Sequence, residues 1–565
     1  MMKANEIHYS RVNMGQFSQT FKRFLERFVT AESFEELNKW FLSINQLRNE
    51  FESMEQLAYL KHMIDLSNEE YKKEKAYFDQ VSSEYQAIVT DYYKAILQTT
   101  YRTQLEKRWG SQLFRIAELK VKTFSENIVE ELQLEKELIG KYFSLLGTAE
   151  LEFNEMKLSL FELNRYTVSN DRNERRQAYT TIYSFYAANE KQLETILDDL
   201  IKIRTKMAKK LGYETFTQLG YDRLKRTNYK PEDVEVYRNQ VKQFGVPFIS
   251  KLREKQRNRI GVEKLKFYDE RVYFKSGAPK LTGNANDIIQ RALTMYSELS
   301  SETREFFEYM VSEGNMDLLS KKGKRGGAFA TYMATEKAPF IFANFVGIPN
   351  DVRVLTHEVG HAFQFYLSRN TPIPEYIAPT YDAAEIHSFT MERFSWPWME
   401  LFFGNDAAKY KFSHLTEAFI LMPWANAIDE FQHYLYENWE ATPEERKAKW
   451  REMERVYMPE KDYDGFDFLE QGASFYQIGH LFETPFYFID YDIAHNCATQ
   501  LWIKYNESLE EGWNDFLNIC RVGGSESLVE IINRARLLSP FEVGSLKYII
   551  DYVDKWVEQF EDESF

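Results

Sequence analysis

The chain has 565 residues, 44% hydrophobic and 16% aromatic, which is enough apolar matter for several cores and unlike the composition of a disordered tail. A formal charge of -16 and an isoelectric point near 5.3 repel phosphate backbones and anionic membrane surfaces, so neither nucleic acid nor membrane is expected as a partner. Only Cys497 and Cys520 are present, which excludes a disulfide framework and a cysteine-based zinc site and suits a reducing, cytoplasmic setting.

The opening MMKANEIHYSRVNMGQF lacks the apolar core of a secretory signal. The longest uncharged apolar-rich run, PFIFANFVGIPN, has 12 residues, against the roughly 20 that a bilayer helix needs. Gly (24) and Pro (14) are sparse while Glu, Lys, Leu and Gln are plentiful, so a mainly α fold is expected.

From about Phe17 to Thr148 the chain reads as long amphipathic helices, with the S-x-x-E capping spacing at Ser33/Glu36 and Ser67/Glu70. A second helical block ends at Gly212, placed as a left-handed cap, and another helix should start at Pro231. Between roughly 262 and 345 the short pieces KLKFYD, RVYF, FATYM and PFIFANF alternate with turns and predict a small sheet. KKGKRGGAF lacks the residue order of a phosphate loop and predicts a β-turn. Helices resume at Asp351 and run to the end, with breaks at Pro372, Pro374, Pro397, Pro485 and Gly523-Gly524.

Within that last stretch lies LTHEVGHAFQ, Leu355 to Gln364. On a helix, residues four apart lie about 40° apart on one face, so His357 and His361 can both address one ion. Glu358, about 100° round, can reach a metal-activated water without being forced to ligate. With nine histidines in the chain, the expected number of chance matches is about 0.014. The alternative is a pair of hydrogen-bonded core histidines. Gln364 and Leu367 stand where a metzincin needs glycine and histidine, which excludes that class.

A catalytic zinc needs a third protein ligand. In DAAEIHSFTMERF, Asp382, Glu385 and Glu392 share a helical face, and Glu385 follows His357 by 385 - 357 = 28 residues, enough for a turn and a returning helix. Glu375 and His387 are weaker candidates. Asp382 or Glu392 is placed to accept the second N–H of a ligand histidine.

HEVGH, with EIHSFTME beginning 28 residues after its first histidine, resembles the thimet oligopeptidase and oligoendopeptidase F family of zinc metallopeptidases, within it the Pz-peptidase branch. GKRGGAF, PFIFANF, KMAKKLGYETF and the GGS near residue 524 extend the likeness over roughly residues 170 to 560. The resemblance implies one zinc per chain on His357, His361 and Glu385, with Glu358 as general base. It also implies oxyanion donors, matched here by His480 and by Tyr487 or Tyr491 in GHLFETPFYFIDYDIA. The expected architecture is two-lobed, with a helical N-terminal lobe over residues 1–165 and a peptidase domain over 166–565. A small sheet is expected beside a deep zinc cleft, with PFIFANF offering its backbone to an extended peptide. The expected activity is cleavage of internal bonds in short peptides, collagen-derived ones among them. The alternatives are a zinc exopeptidase and a non-catalytic helical scaffold.

Overall fold

The computed structural model describes residues 9–560. Four N-terminal helices, α1 (Met14–Val29), α2 (Phe34–Ile64), α3 (Glu69–Gln98) and α4 (Gln112–Lys122), bury one apolar stripe each. Ser33 caps α2 through the Glu36 N–H as its spacing predicts. At α3 the cap falls one residue later: the Asn68 side chain accepts from Glu70 and Tyr71, while the Ser67 hydroxyl turns back to Asp65. The shared core, around Phe21, Phe41, Phe51 and Tyr92, also takes in Ile373 and Tyr376 from far along the chain. Gly212, at φ 82°, and Pro231, at a helix start, behave as expected.

The strand expectations between 262 and 345 need correction. KLKFYD and RVYF form no strand; they contain a 3-10 turn at Phe267–Asp269. Buried Asp269 receives Arg172 and Arg175 at 2.7 Å each, so side-chain ion pairs hold this stretch where a ladder was expected. Two helices, Ala285–Leu299 and Ser301–Ser312, occupy the middle of the region. A hairpin not anticipated, β1 (Leu151–Phe153) with β2 (Met156–Leu158), turns through Asn154 and Glu155 at positive φ. The main sheet has β3 (Met316–Leu319), β4 (Phe329–Met333) and β5 (Ala338–Phe345) in the order β3-β5-β4, parallel on one side of β5 and antiparallel on the other. PFIFANF is therefore the central strand, apolar except for Asn344 because both faces are largely covered, and its backbone is already paired. The strand with an unpaired edge beside the N-terminal helices is β4. The preceding basic loop is a turn, and its Lys324 folds inward onto Asp317 at 2.8 Å.

The large core is built by the remaining helices, among them α5 (Phe216–Arg223), α6 (Pro349–Ser368), α7 (Tyr381–Phe394), α8 (Ala407–Glu437) and α9 (Phe488–Glu507). No helix among the described residues is long and apolar enough to cross a membrane.

One ionic node inside this core bears on the site. Fully buried Arg204 donates to Glu135 at 2.6 Å, to the Tyr436 hydroxyl, and to the carbonyls of Leu481 and Phe482, which directly follow His480. Burial opposes ionisation of Glu135, but Arg204 and Arg223 outweigh it and hold the carboxyl down at about 2. A carboxyl depressed on folding stabilises fully above its unfolded pKa of about 4.3, and that contribution is lost as pH falls through about 2. Glu135→Gln leaves Arg204 buried without its counter-charge, so chemical denaturation at pH 7 should show a loss of about 3 kcal/mol. The wild-type advantage should shrink as the titration is repeated below pH 4.

Candidate active site

The motif helix α6 begins at Pro349, and the Asp351 carboxylate accepts the N–H groups of Val346, Gly347 and Ile348 at 2.9, 2.6 and 3.0 Å. This satisfies donors at the positive end of the helix and fixes where its turns fall. His357 and His361 then lie one turn apart on one face, their rings 5.0 Å apart and nearly perpendicular. Between them, Gly360 sits against α7: a Cβ there would meet the His387 carbonyl oxygen and the Ser388 Cα at 2.6 Å. The two backbones touch because this residue has no side chain.

That contact delivers Glu385. Its Oε2 is 3.2 Å from His357 Nε2 and 3.4 Å from His361 Nε2, and the three ligand-type atoms all lie within 4.8 Å of one another. Atoms bound tetrahedrally at zinc distances are about 3.3 Å apart, so this donor set fits such an ion. The Ser388 hydroxyl donates to the same Glu385 oxygen at 2.8 Å.

Behind the first histidine stands a proton-ordering chain. The Trp396 indole N–H, a donor only, reaches His414 Nδ1 at 3.1 Å, so the His414 proton is on Nε2 and points at Glu392. The other Glu392 oxygen holds His357 Nδ1 at 2.6 Å. Burial opposes protonation of His357, but Glu385 and Glu392 raise its imidazole well above the ordinary range; with Nδ1 committed to Glu392, Nε2 is the nitrogen that would face a metal beside His361 and Glu385. Burial works against ionisation of Glu385 and Glu392, but the imidazoles beside them prevail and hold both carboxyls well below the ordinary range. Burial pushes the Glu358 carboxyl up, against the opposing pull of His357 and His361.

The structure also gathers His480, Tyr487 and Tyr491. The His480 ring lies 5.8 Å from Tyr487 and 5.9 Å from Tyr491, and the two phenol rings are 5.1 Å apart. Burial lowers the His480 imidazole, keeping it neutral at pH 7, and burial together with the Glu385 charge raises both phenols, Tyr491 to about 12. Pro485 breaks the segment as expected. The turn after it depends on Phe486, which is buried at φ 69° with its N–H on Gln432 and its carbonyl on Arg226. A bulky residue in that conformation is strained, and the two bonds hold it and so aim Tyr487.

Other candidates fall elsewhere. Glu375 pairs with Arg48 at 2.7 Å, across the boundary with the N-terminal helices. His387 is buried against Phe516 on the far side of α7. Asp382 accepts from Thr380, and it is Glu392 that holds His357 Nδ1.

Residues 165–547 match the family model described as "Peptidase family M3", and residues 4–124 match the "Peptidase M3 N-terminal domain". The chain belongs to peptidase family M3. Oligopeptidase PepF of Bacillus subtilis (strain 168) is 22% identical over 414 residues, 70% of this chain and 59% of that protein. Group B oligopeptidase PepB of Streptococcus agalactiae is 25% identical over 268 residues, 45% of this chain and 42% of that protein. The chain thus spans less than two thirds of the length of these relatives. Among solved structures, Pz peptidase A with an inhibitor shares 47% identity and a TM-score of 0.93, covering 99% of this chain and 100% of that one. Oligoendopeptidase-F from Enterococcus faecium shares the fold, with a TM-score of 0.63 at 15% identity over 97% of this chain and 98% of that one. M3 peptidases are metallopeptidases, so the family implies a metal.

Reading the sequence missed Ser388, His414, Trp396 and the Phe486 turn of this M3 chain, and no local signal marks them. Gly360 was visible as a letter of the motif but not as a contact. Gly360→Ala should separate α6 from α7, lower the unfolding free energy by about 1–3 kcal/mol and reduce metal content after dialysis. Thermal denaturation and metal analysis check both effects.

Proposed function

We propose that this protein is a zinc-dependent oligoendopeptidase that hydrolyses internal bonds of short peptides, collagen-derived ones among them. The observation that carries the reading is the convergence of His357, His361 and Glu385 within 4.8 Å of one another, with Glu358 beside them. These three side chains would hold one zinc per chain. When bound, zinc supplies Lewis acidity to the scissile carbonyl and to the attacking water.

The chain's own groups do the rest. Glu358 takes the proton from the attacking water and returns it to the departing nitrogen; its burial, by raising the carboxyl, suits it to both halves of that transfer. Neutral His480 and the hydroxyls of Tyr487 and Tyr491 donate hydrogen bonds to the oxyanion as it forms, each worth about 3 kcal/mol. The β4 edge offers unpaired backbone to an extended substrate. The N-terminal lobe, residues 1–165, would roof the cleft and exclude folded proteins, and the peptidase domain would be 166–565. A cytoplasmic setting suits turnover of short peptides and two free, buried cysteines.

Glu358→Gln should retain about one zinc per chain and lower kcat on an end-blocked peptide by about 10³-fold. Retained turnover in this variant contradicts the role of Glu358. Release of single terminal residues from peptides of every length favours an exopeptidase, and metal-free preparations of the native protein with no turnover after zinc is added favour a scaffold.

A further inference from the structure

A cavity of about 490 Å³ lies between α2, α3 and α4 on one side and the end of α5 with the Pro374-Glu375 segment on the other. In a chain of charge -16, its acids are already engaged. Glu375 is held by Arg48 at 2.7 Å and the Tyr93 hydroxyl at 2.5 Å. Asp222 accepts from Lys122 and Tyr213 at 2.7 Å each, and Glu52 accepts from Tyr85 at 2.5 Å with Arg48 at 3.6 Å. Arg223 is taken by Glu135 at 2.8 Å. Two cations are left over: the ammonium groups of Lys120 and Lys225 line the cavity, and neither has a hydrogen bond or an ion pair among the described residues.

Lys225 is also placed with some care. It follows α5 at φ 60°, where glycine or asparagine is the usual occupant, in a turn closed by its own N–H on Asp222 and that of Arg226 on Tyr221. Its Nζ lies 5.8 Å from the centre of the Tyr381 ring. Tyr381 is half exposed, opens α7 one turn before Glu385, and packs its ring 5.6 Å from Tyr487. A second cavity of about 380 Å³ shares Glu52, Tyr85 and Pro374 with the first and runs along Ala330, Thr331 and Tyr332 of the β4 edge. The two ammonium groups and the open edge strand therefore line adjoining cavities, and Lys225 is linked through the Tyr381 ring to the helix that carries Glu385.

We propose that Lys225, assisted by Lys120, is an anchor for a carboxylate of the bound peptide, its C-terminus in the first instance. This rests on the hydrolase reading above. From Lys225 through Tyr381 to Glu385 the path is on the order of 10–15 Å, which an extended peptide covers with about three or four residues. The protein would then be an endopeptidase that measures its cut from one end, and short substrates would be favoured because only they bring a terminus into the cavity. An ammonium in a confined, partly desolvated space attracts a carboxylate more strongly than one in bulk water.

The test uses the full-length protein and N-acetylated peptides that differ only at the C-terminus: free acid, amide, and amide with aspartate as the last residue. In the unmodified protein the acid-to-amide ratio of kcat/KM should be about ten or more, carried by KM. In the double variant Lys120→Met, Lys225→Met it should fall to within about two-fold of unity, and Lys225→Arg should keep most of it. Recovery with the aspartate peptide means that side-chain carboxylates are read as well; no recovery means that the terminus alone is read, and both support the anchor. A ratio near unity in the unmodified protein, or a ratio unchanged in the double variant, overturns it. If the double variant does not fold, the ratio is read in Lys225→Met alone: a fall toward unity supports the anchor and an unchanged ratio overturns it. No turnover of any of the three peptides overturns the hydrolase reading instead.

Discussion

At Gly360 the backbones of α6 and α7 come so close that a single methyl group would collide with the Ser388 Cα and the His387 carbonyl. Helix pairs ordinarily keep 8–10 Å between axes according to the side chains at the contact, and a missing side chain shortens that distance. The consequences run outward from this contact. Glu385 reaches both histidines, Ser388 reaches Glu385, and the opposite side of α7 lies on α9, whose entry turn carries Tyr487. A site assembled from separate helices keeps its geometry only if the helices cannot slide, and here the backbone contact prevents it.

Charge around the site is handled by pairing Glu385, Glu392 and Glu135 with specific partners, while Glu358 keeps none among the described residues. Glu392 is buried between two imidazoles, and the chain from Trp396 through His414 to Glu392 determines which nitrogen of His357 is free. Arg204 does comparable work at the other wall, using Glu135 as counter-ion while it grips the carbonyls next to His480. Both arrangements cost desolvation, and each fixes the backbone or side chain around one histidine, His357 in the first case and His480 in the second. Against that pattern Lys120 and Lys225, which have no hydrogen bond or ion pair among the described residues, stand out.

What could be read in the sequence was what depends on local periodicity. His357, His361 and Glu358 follow from one turn of helix, and the register of Glu385 with Glu392 follows from the face they share. The helical character of the chain was visible for the same reason, and the M3 family confirms the resemblance stated from these motifs. Properties set by partners distant in sequence were hidden. PFIFANF has the apolar run of a covered strand, but nothing in it says that β3 and β4 flank it on both sides. KLKFYD and RVYF have strand-like letters, yet Asp269 is drawn instead to arginines nearly a hundred residues earlier. Asp382 and Glu392 were equivalent on paper, and only the position of His357 separates them. Phe486 at positive φ is held by Gln432 and Arg226, which no local rule supplies.

The central claim is that two imidazoles and one carboxylate hold a single zinc. X-ray absorption at the zinc edge on the purified protein tests it most directly. The account predicts about one zinc per chain, with two histidine nitrogens and low-Z oxygen neighbours at roughly 2.0–2.1 Å and no sulfur shell. A sulfur shell, a coordination sphere without histidine scattering, or a spectrum unchanged in a His361→Ala variant that still binds zinc would contradict it.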